Sequence, residues 1–175
     1  MPAAFSPDGS VGIFESNAIA RAVARLAPPD KGLYGDDAYQ ASRIDGFLDA
    51  TLVFAREVQM YLLDLAGRRI TSAVHERARS ARDGYLAGID RALAPRREVL
   101  VGDALSLADI VFVTELALFS AERAHAAVRE EAGLAPLYGR ALREHFPRAF
   151  GHFERLIAHP AFASDLAPYL EKLGG

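Results

Sequence analysis

The chain reads as a mostly α-helical protein with a small ββα unit at its N-terminus. Three observations predict this. Apolar residues recur at three- and four-residue steps from Ile44 to Leu65, an almost wholly apolar helix follows Ser106, and two short extended runs flank a Ser6-Pro7-Asp8-Gly9-Ser10 turn. The first two carry the helical period, and the third joins a φ-fixing proline to a glycine that tolerates φ > 0.

Taken in order, Ala3–Phe5 and Val11–Phe14 form the hairpin strands. Ser16 is expected to cap a helix over 17–26 that carries Ile19, Val23 and Leu26 on one face and stops at Ala27-Pro28-Pro29-Asp30. The Pro- and Gly-rich stretch that follows lacks periodicity, which divides the chain into a ββα unit (1–27), a linker (28–37) and an all-helical part (38–175). A long helix over 38–66 carries the stripe Ile44, Phe47, Leu48, Thr51, Ala55, Val58, Leu62 and Leu65, with Gly67 at its end.

Its partner over 72–94 places Val74, Ala78, Ala81, Tyr85, Ile89 and Leu93 inside and Glu76, Arg79, Arg82, Asp83 and Asp90 mostly outside, and Pro95 stops it. The helix over 107–121 is apolar nearly all round, as a central helix is. Glu115 within it is expected to face solvent or meet an arginine, because an unpaired buried carboxylate is costly. Shorter helices over 136–145, 147–158 and 162–171 are punctuated by Pro136, Pro147 and Pro160.

With 175 residues, 51% hydrophobic, the chain is long enough to bury one good core. A net charge of −3 with both signs interspersed gives no positive field for nucleic acid or anionic membrane, so neither is expected as a partner. The absence of cysteine excludes disulfides, thiolate metal sites and a cysteine nucleophile within these residues. Neither a membrane span nor a secretory signal is visible, and cytoplasm is the default compartment. His145, His152 and His159 are spaced by seven, whereas helical metal-binding pairs sit three or four apart, so they read as surface or core histidines and no metal is expected.

Ser106 and Asp109 form a capping box ahead of the apolar helix, the hydroxyl accepting the N–H of Asp109 and the carboxylate that of Ser106. The surrounding run, Val101-Gly102-Asp103-Ala104-Leu105-Ser106-Leu107-Ala108-Asp109-Ile110, resembles the N-capping signature in the C-terminal helical domain of cytosolic glutathione transferases. Phe14-Glu15-Ser16-Asn17-Ala18-Ile19 resembles the end of the same family's thioredoxin-like domain.

The resemblance implies a helical bundle of the glutathione-transferase C-terminal type with a remnant thioredoxin-like ββα unit, entered partway through the family pattern. The preceding half, which holds the thiol-activating Tyr, Ser or Cys in the family, is expected to be missing, leaving the catalytic residue unknown and Ala3–Phe5 as an open edge. By the same resemblance, Glu15 and Ser16 hold the γ-glutamyl end of glutathione, and Pro2 stands where the family places a cis-proline, with Met1 at the backbone contact. Glutathione is then the co-substrate and a small apolar electrophile the second ligand. Phe54, Val58 and Tyr61 either line the electrophile pocket or pack in the core. A homodimer is implied, paired through the hairpin–helix piece and the first long helices. Two functions stay open: a glutathione transferase, or a non-catalytic interaction module like the gamma subunit of eukaryotic elongation factor 1, which Phe14-Glu15-Ser16-Asn17-Ala18-Ile19-Ala20 also resembles.

Overall fold

A computed structural model describes residues 2–28, 32–94 and 97–174 of the chain. Strands β1 (Ala3–Phe5) and β2 (Gly12–Phe14) pair antiparallel with Ala3 opposite Phe14 and Phe5 opposite Gly12. The turn between them is organised by Asp8, whose carboxylate accepts the hydroxyls of Ser6 and Ser10 at 2.6 and 2.8 Å and the Ser10 N–H at 3.1 Å. These bonds, Ser6's foremost, pull its pKa down to about 2.

Helix α1 (Ser16–Leu26) begins one residue earlier than expected: Glu15, not Ser16, is the N-cap residue, and no side chain caps this end. Its packing face also differs. Asn17 and Ala24 are buried, and the Asn17 amide donates to the Leu48 carbonyl at 2.8 Å. Val23 and Leu26 are 60% and 86% exposed, so among the described residues that side of the helix is uncovered. Arg21 ties α1 to the next helix through Asp45 and Asp49 at 2.5 and 2.8 Å.

Helix α2 (Ala38–Ala66) starts at Asp37, whose carboxylate accepts the Gln40 N–H, and ends at Gly67. Its buried residues Ile44, Leu48, Thr51, Phe54, Val58, Tyr61 and Leu65 follow the expected period. Helix α3 (Ser72–Ala92), capped by Thr71, lies against it. The stop assigned to Pro95 falls outside the described residues. Arg82 corrects the expectation that it faces solvent: it is buried, its guanidinium donating to the Leu137 carbonyl at 2.8 Å and pairing with Asp83. The long side chain carries its guanidinium from α3 to that carbonyl while its stem packs in the bundle.

Helix α4 (Leu107–Phe119) is the centre on which α2 and α7 (Pro147–Ala158) pack. A 3-10 stretch (Ser120–His125) leads into the short helices α5 (Ala126–Glu131) and α6 (Arg140–His145), the latter shorter than the sequence predicts. Asp90 on α3 caps α7, accepting the N–H groups of Arg148 and Ala149 at 2.8 and 3.1 Å. Helix α8 (Pro160–Gly174) closes the bundle. The Leu107 N–H donates to the Leu33 carbonyl, binding the end of the linker to the start of α4. The mostly helical class, with a two-stranded sheet at the N-terminus, is as the sequence predicts.

Candidate functional site

Where β2 hands over to α1, Glu15 adopts φ 74°, ψ 132°, a conformation that a residue bearing a side chain adopts at a cost of roughly 1–3 kcal/mol. The twist turns the exposed Glu15 and Ser16 outward at the helix start. The first N–H groups of α1 meet no side-chain cap, and the helix presents its positive end there. A carboxylate fits those donors together with the Ser16 hydroxyl, and an ammonium fits the adjoining Glu15 carboxylate. The ladder ends at the Ala3–Phe14 pair, with the exposed Pro2 preceding β1 and the exposed Glu15 following β2 at that end of the sheet. The proposed contact at Met1 lies outside the described residues.

The second pair, Ser106 and Asp109, lies away from this corner inside the bundle. The Asp109 carboxylate accepts the Ser106 N–H at 2.9 Å, completing a capping box, and stands 3.0 Å from the Ser106 hydroxyl. Its other oxygen accepts the Leu100 N–H at 3.0 Å and meets His152 Nε2 at 2.8 Å. Asp109 is 0% and His152 1% exposed. Arg155 reaches His152 Nδ1 at 3.3 Å, and because a guanidinium only donates, Nδ1 accepts and Nε2–H donates to Asp109. One carboxylate thereby joins the loop before α4, the start of α4 and α7. His152 is a core histidine, His145 is exposed, and His159 Nδ1 accepts the Ala161 N–H at the start of α8, so the three do not converge.

Sequence reasoning missed a second buried carboxylate, Glu122. It accepts the Tyr61 hydroxyl and the Leu137 N–H, each at 2.9 Å, also the Tyr138 N–H, and pairs with buried Arg129 at 3.3 Å. No spacing marks it, since its partners lie 61, 15, 16 and 7 residues away.

Glu115 corrects an expectation. Among the described residues it meets no arginine and its Oε2 is buried without a partner, and burial lifts its carboxyl above the usual glutamate range. The raised acid makes folding cheapest below its unperturbed value of 4.5 and costlier as pH climbs through the folded value. Glu115→Met should therefore stabilise the protein at pH 7 by roughly 1–2 kcal/mol, with the gain shrinking toward pH 4.5. Thermal melts across that range check it; a gain independent of pH contradicts it.

Phe54, Val58 and Tyr61 are fully buried core residues. Among the tyrosines, the Tyr34 hydroxyl donates to Asp45 at 2.6 Å and that of Tyr61 to Glu122. Burial pushes Tyr34, Tyr61, Tyr85, Tyr138 and Tyr169 up, opposite to what favours a phenolate.

No protein-family model matches the chain. It is 28% identical over 172 residues to a probable elongation factor 1-gamma 1 of Arabidopsis thaliana, covering 95% of this chain and 36% of that protein. The chain thus spans about a third of the curated relative it matches. Among solved structures, it is similar to a glutathione S-transferase of Rhodospirillum rubrum F11 (24% identity, TM-score 0.65, 93% of this chain and 68% of that one). It is also similar to one of Methylobacillus flagellatus KT solved with GSH bound (18% identity, TM-score 0.68, 94% and 74%). At these identities the likeness is one of fold: the chain carries the fold of the glutathione transferases over its helical bundle and N-terminal hairpin.

Proposed function

We propose that this chain, built on the glutathione-transferase fold, is a glutathione-transferase-like protein that binds the γ-glutamyl end of glutathione at Glu15 and Ser16 and does not by itself conjugate it. The observation that carries the reading is the corner at Glu15: a strained backbone, an uncapped helix start and an exposed carboxylate side by side. The Ser16 hydroxyl and the first N–H groups of α1 take the glutamyl carboxylate, Glu15 takes its ammonium, and Pro2 borders the same end of the sheet. Conjugation to an apolar electrophile needs a group that lowers the thiol pKa. The raised or carboxylate-bound tyrosines described above do not supply one.

The protein then works as a soluble cytoplasmic homodimer, pairing through the hairpin–helix piece and the first long helices. Titration calorimetry should detect glutathione binding that weakens about tenfold in both Ser16→Ala and Glu15→Ala, as loss of a charge-assisted contact requires. Assay with a chloronitrobenzene electrophile should show no turnover. Turnover that disappears in either variant contradicts the second half of the proposal, and binding indifferent to both contradicts the first. A second reading, a non-catalytic interaction module, is supported by the 28% identity to an elongation factor 1-gamma. It predicts a structurally intact Glu15 corner with no affinity for glutathione.

A further inference from the structure

The start of α2 and the loop that leads from α3 to α4 enclose a hollow of about 310 Å³. Tyr39, Gln40 and Arg43 of α2 line one wall, and Arg97, Gly102 and Asp103 of the loop line the other. The walls are held in a fixed relation. Gly102 has φ 67°, and a Cβ there would come within 2.8 Å of Gln40 Oε1, so glycine lets the loop approach the helix this closely. The bond from the Leu100 N–H to the Asp109 carboxylate anchors the same loop to α4. A ligand entering the hollow meets walls already in place, which spares it the cost of ordering them.

The fold leaves the side chains that line the hollow unused. Arg43 and Arg97 are exposed, and the Arg43 guanidinium stands over the Phe47 ring at 5.8 Å. Neither forms an ion pair among the described residues, whereas Arg21, Arg68, Arg77 and Arg148 each hold a carboxylate. Tyr39 stands four residues before Arg43, on the same face of α2, and is 88% exposed. Its ring is free to stack.

These groups define a ligand. Two guanidiniums in one hollow suit an anion whose several oxygens each accept more than one N–H, and phosphate matches them best. The bare Tyr39 ring suits a flat π system. An ionised Asp103 only accepts, so it suits hydroxyl groups and repels a second anion. We infer that this hollow binds a nucleoside monophosphate, with its phosphate between Arg43 and Arg97, its base on Tyr39 and its sugar hydroxyls on Asp103. A free phosphate would use the arginines alone, and a nucleoside the ring and the acid alone.

Titration calorimetry of the whole chain with AMP tests it. The unsubstituted chain should bind AMP with a dissociation constant below about 1 mM, and inorganic phosphate and adenosine each at least about tenfold more weakly. Arg43→Glu and Arg97→Glu should each weaken AMP binding at least about tenfold. Tyr39→Ala should weaken it about tenfold and Tyr39→Phe less than about twofold, because the ring carries the stacking. Arg56→Glu makes the same charge change at an exposed position of α2 outside the hollow, and should leave the affinity within about twofold. All four positions are exposed, so the thermal melts of the variants should match that of the unsubstituted chain. Inorganic phosphate bound as tightly as AMP overturns the nucleoside assignment. Absence of AMP binding, or binding that Arg43→Glu and Arg97→Glu change no more than Arg56→Glu does, overturns the site.

Discussion

Asp109→Ala should cost on the order of 3–5 kcal/mol of folding stability, the cost expected when a buried, fully used carboxylate is removed from its partners. The Leu100 N–H, the Ser106 N–H and the His152 Nε2–H all lose their acceptor at a position with no exposure. Water does not reach the site without opening the bundle, so each donor bears its own desolvation cost. Ser106→Ala removes only a hydroxyl from the box and should cost roughly 0.5–2 kcal/mol. Urea unfolding of both variants checks the ordering. Equal losses would mean that Asp109 does no more than cap α4, and that its bonds to the preceding loop and to α7 carry no weight.

The other large effect is expected at Glu122. Glu122→Ala leaves the Tyr61 hydroxyl, the Leu137 and Tyr138 N–H groups and the Arg129 guanidinium without their common acceptor. A buried arginine without its counter-ion accounts for most of a loss on the order of 3–5 kcal/mol. Tyr61→Phe, which removes one donor and leaves the carboxylate its other bonds, should cost about 1 kcal/mol. Adding Arg129→Met to Glu122→Ala should recover part of the loss, because the stranded charge goes with it. A double variant as unstable as the sum of the two single variants would show that the pair is not coupled.

The fold was legible in the sequence where a local signal existed. The period of α2, the Asp37 and Gly67 boundaries, the apolar run of α4 and the turn around Asp8 each rest on residues close together in the chain. What escaped depends on residues far apart. Glu122 meets Tyr61, buried Arg82 the Leu137 carbonyl and Asp90 the start of α7, each of these contacts spanning 55 to 61 residues, and in the sequence each looks like an ordinary surface charge on a helix. Glu115 fails differently: the expectation that a buried carboxylate finds a partner is sound, yet among the described residues its Oε2 stays unpaired. At the candidate site the local geometry differs from the expectation. Ser16 read as an N-cap because serine favours that position, whereas the backbone reversal at Glu15 moves the cap one residue back and leaves the hydroxyl without a capping bond. No propensity signals a positive φ at glutamate.

The central claim is that the corner at Glu15 and Ser16 receives glutathione, and amide chemical shifts read it most directly. Titrating the isotopically labelled 175-residue chain with glutathione should move the N–H resonances of Ser16, Asn17 and Ala18 first and furthest, with those of Ser106 and Asp109 in the bundle unchanged. Shifts centred elsewhere, or none at saturating glutathione, would contradict the account.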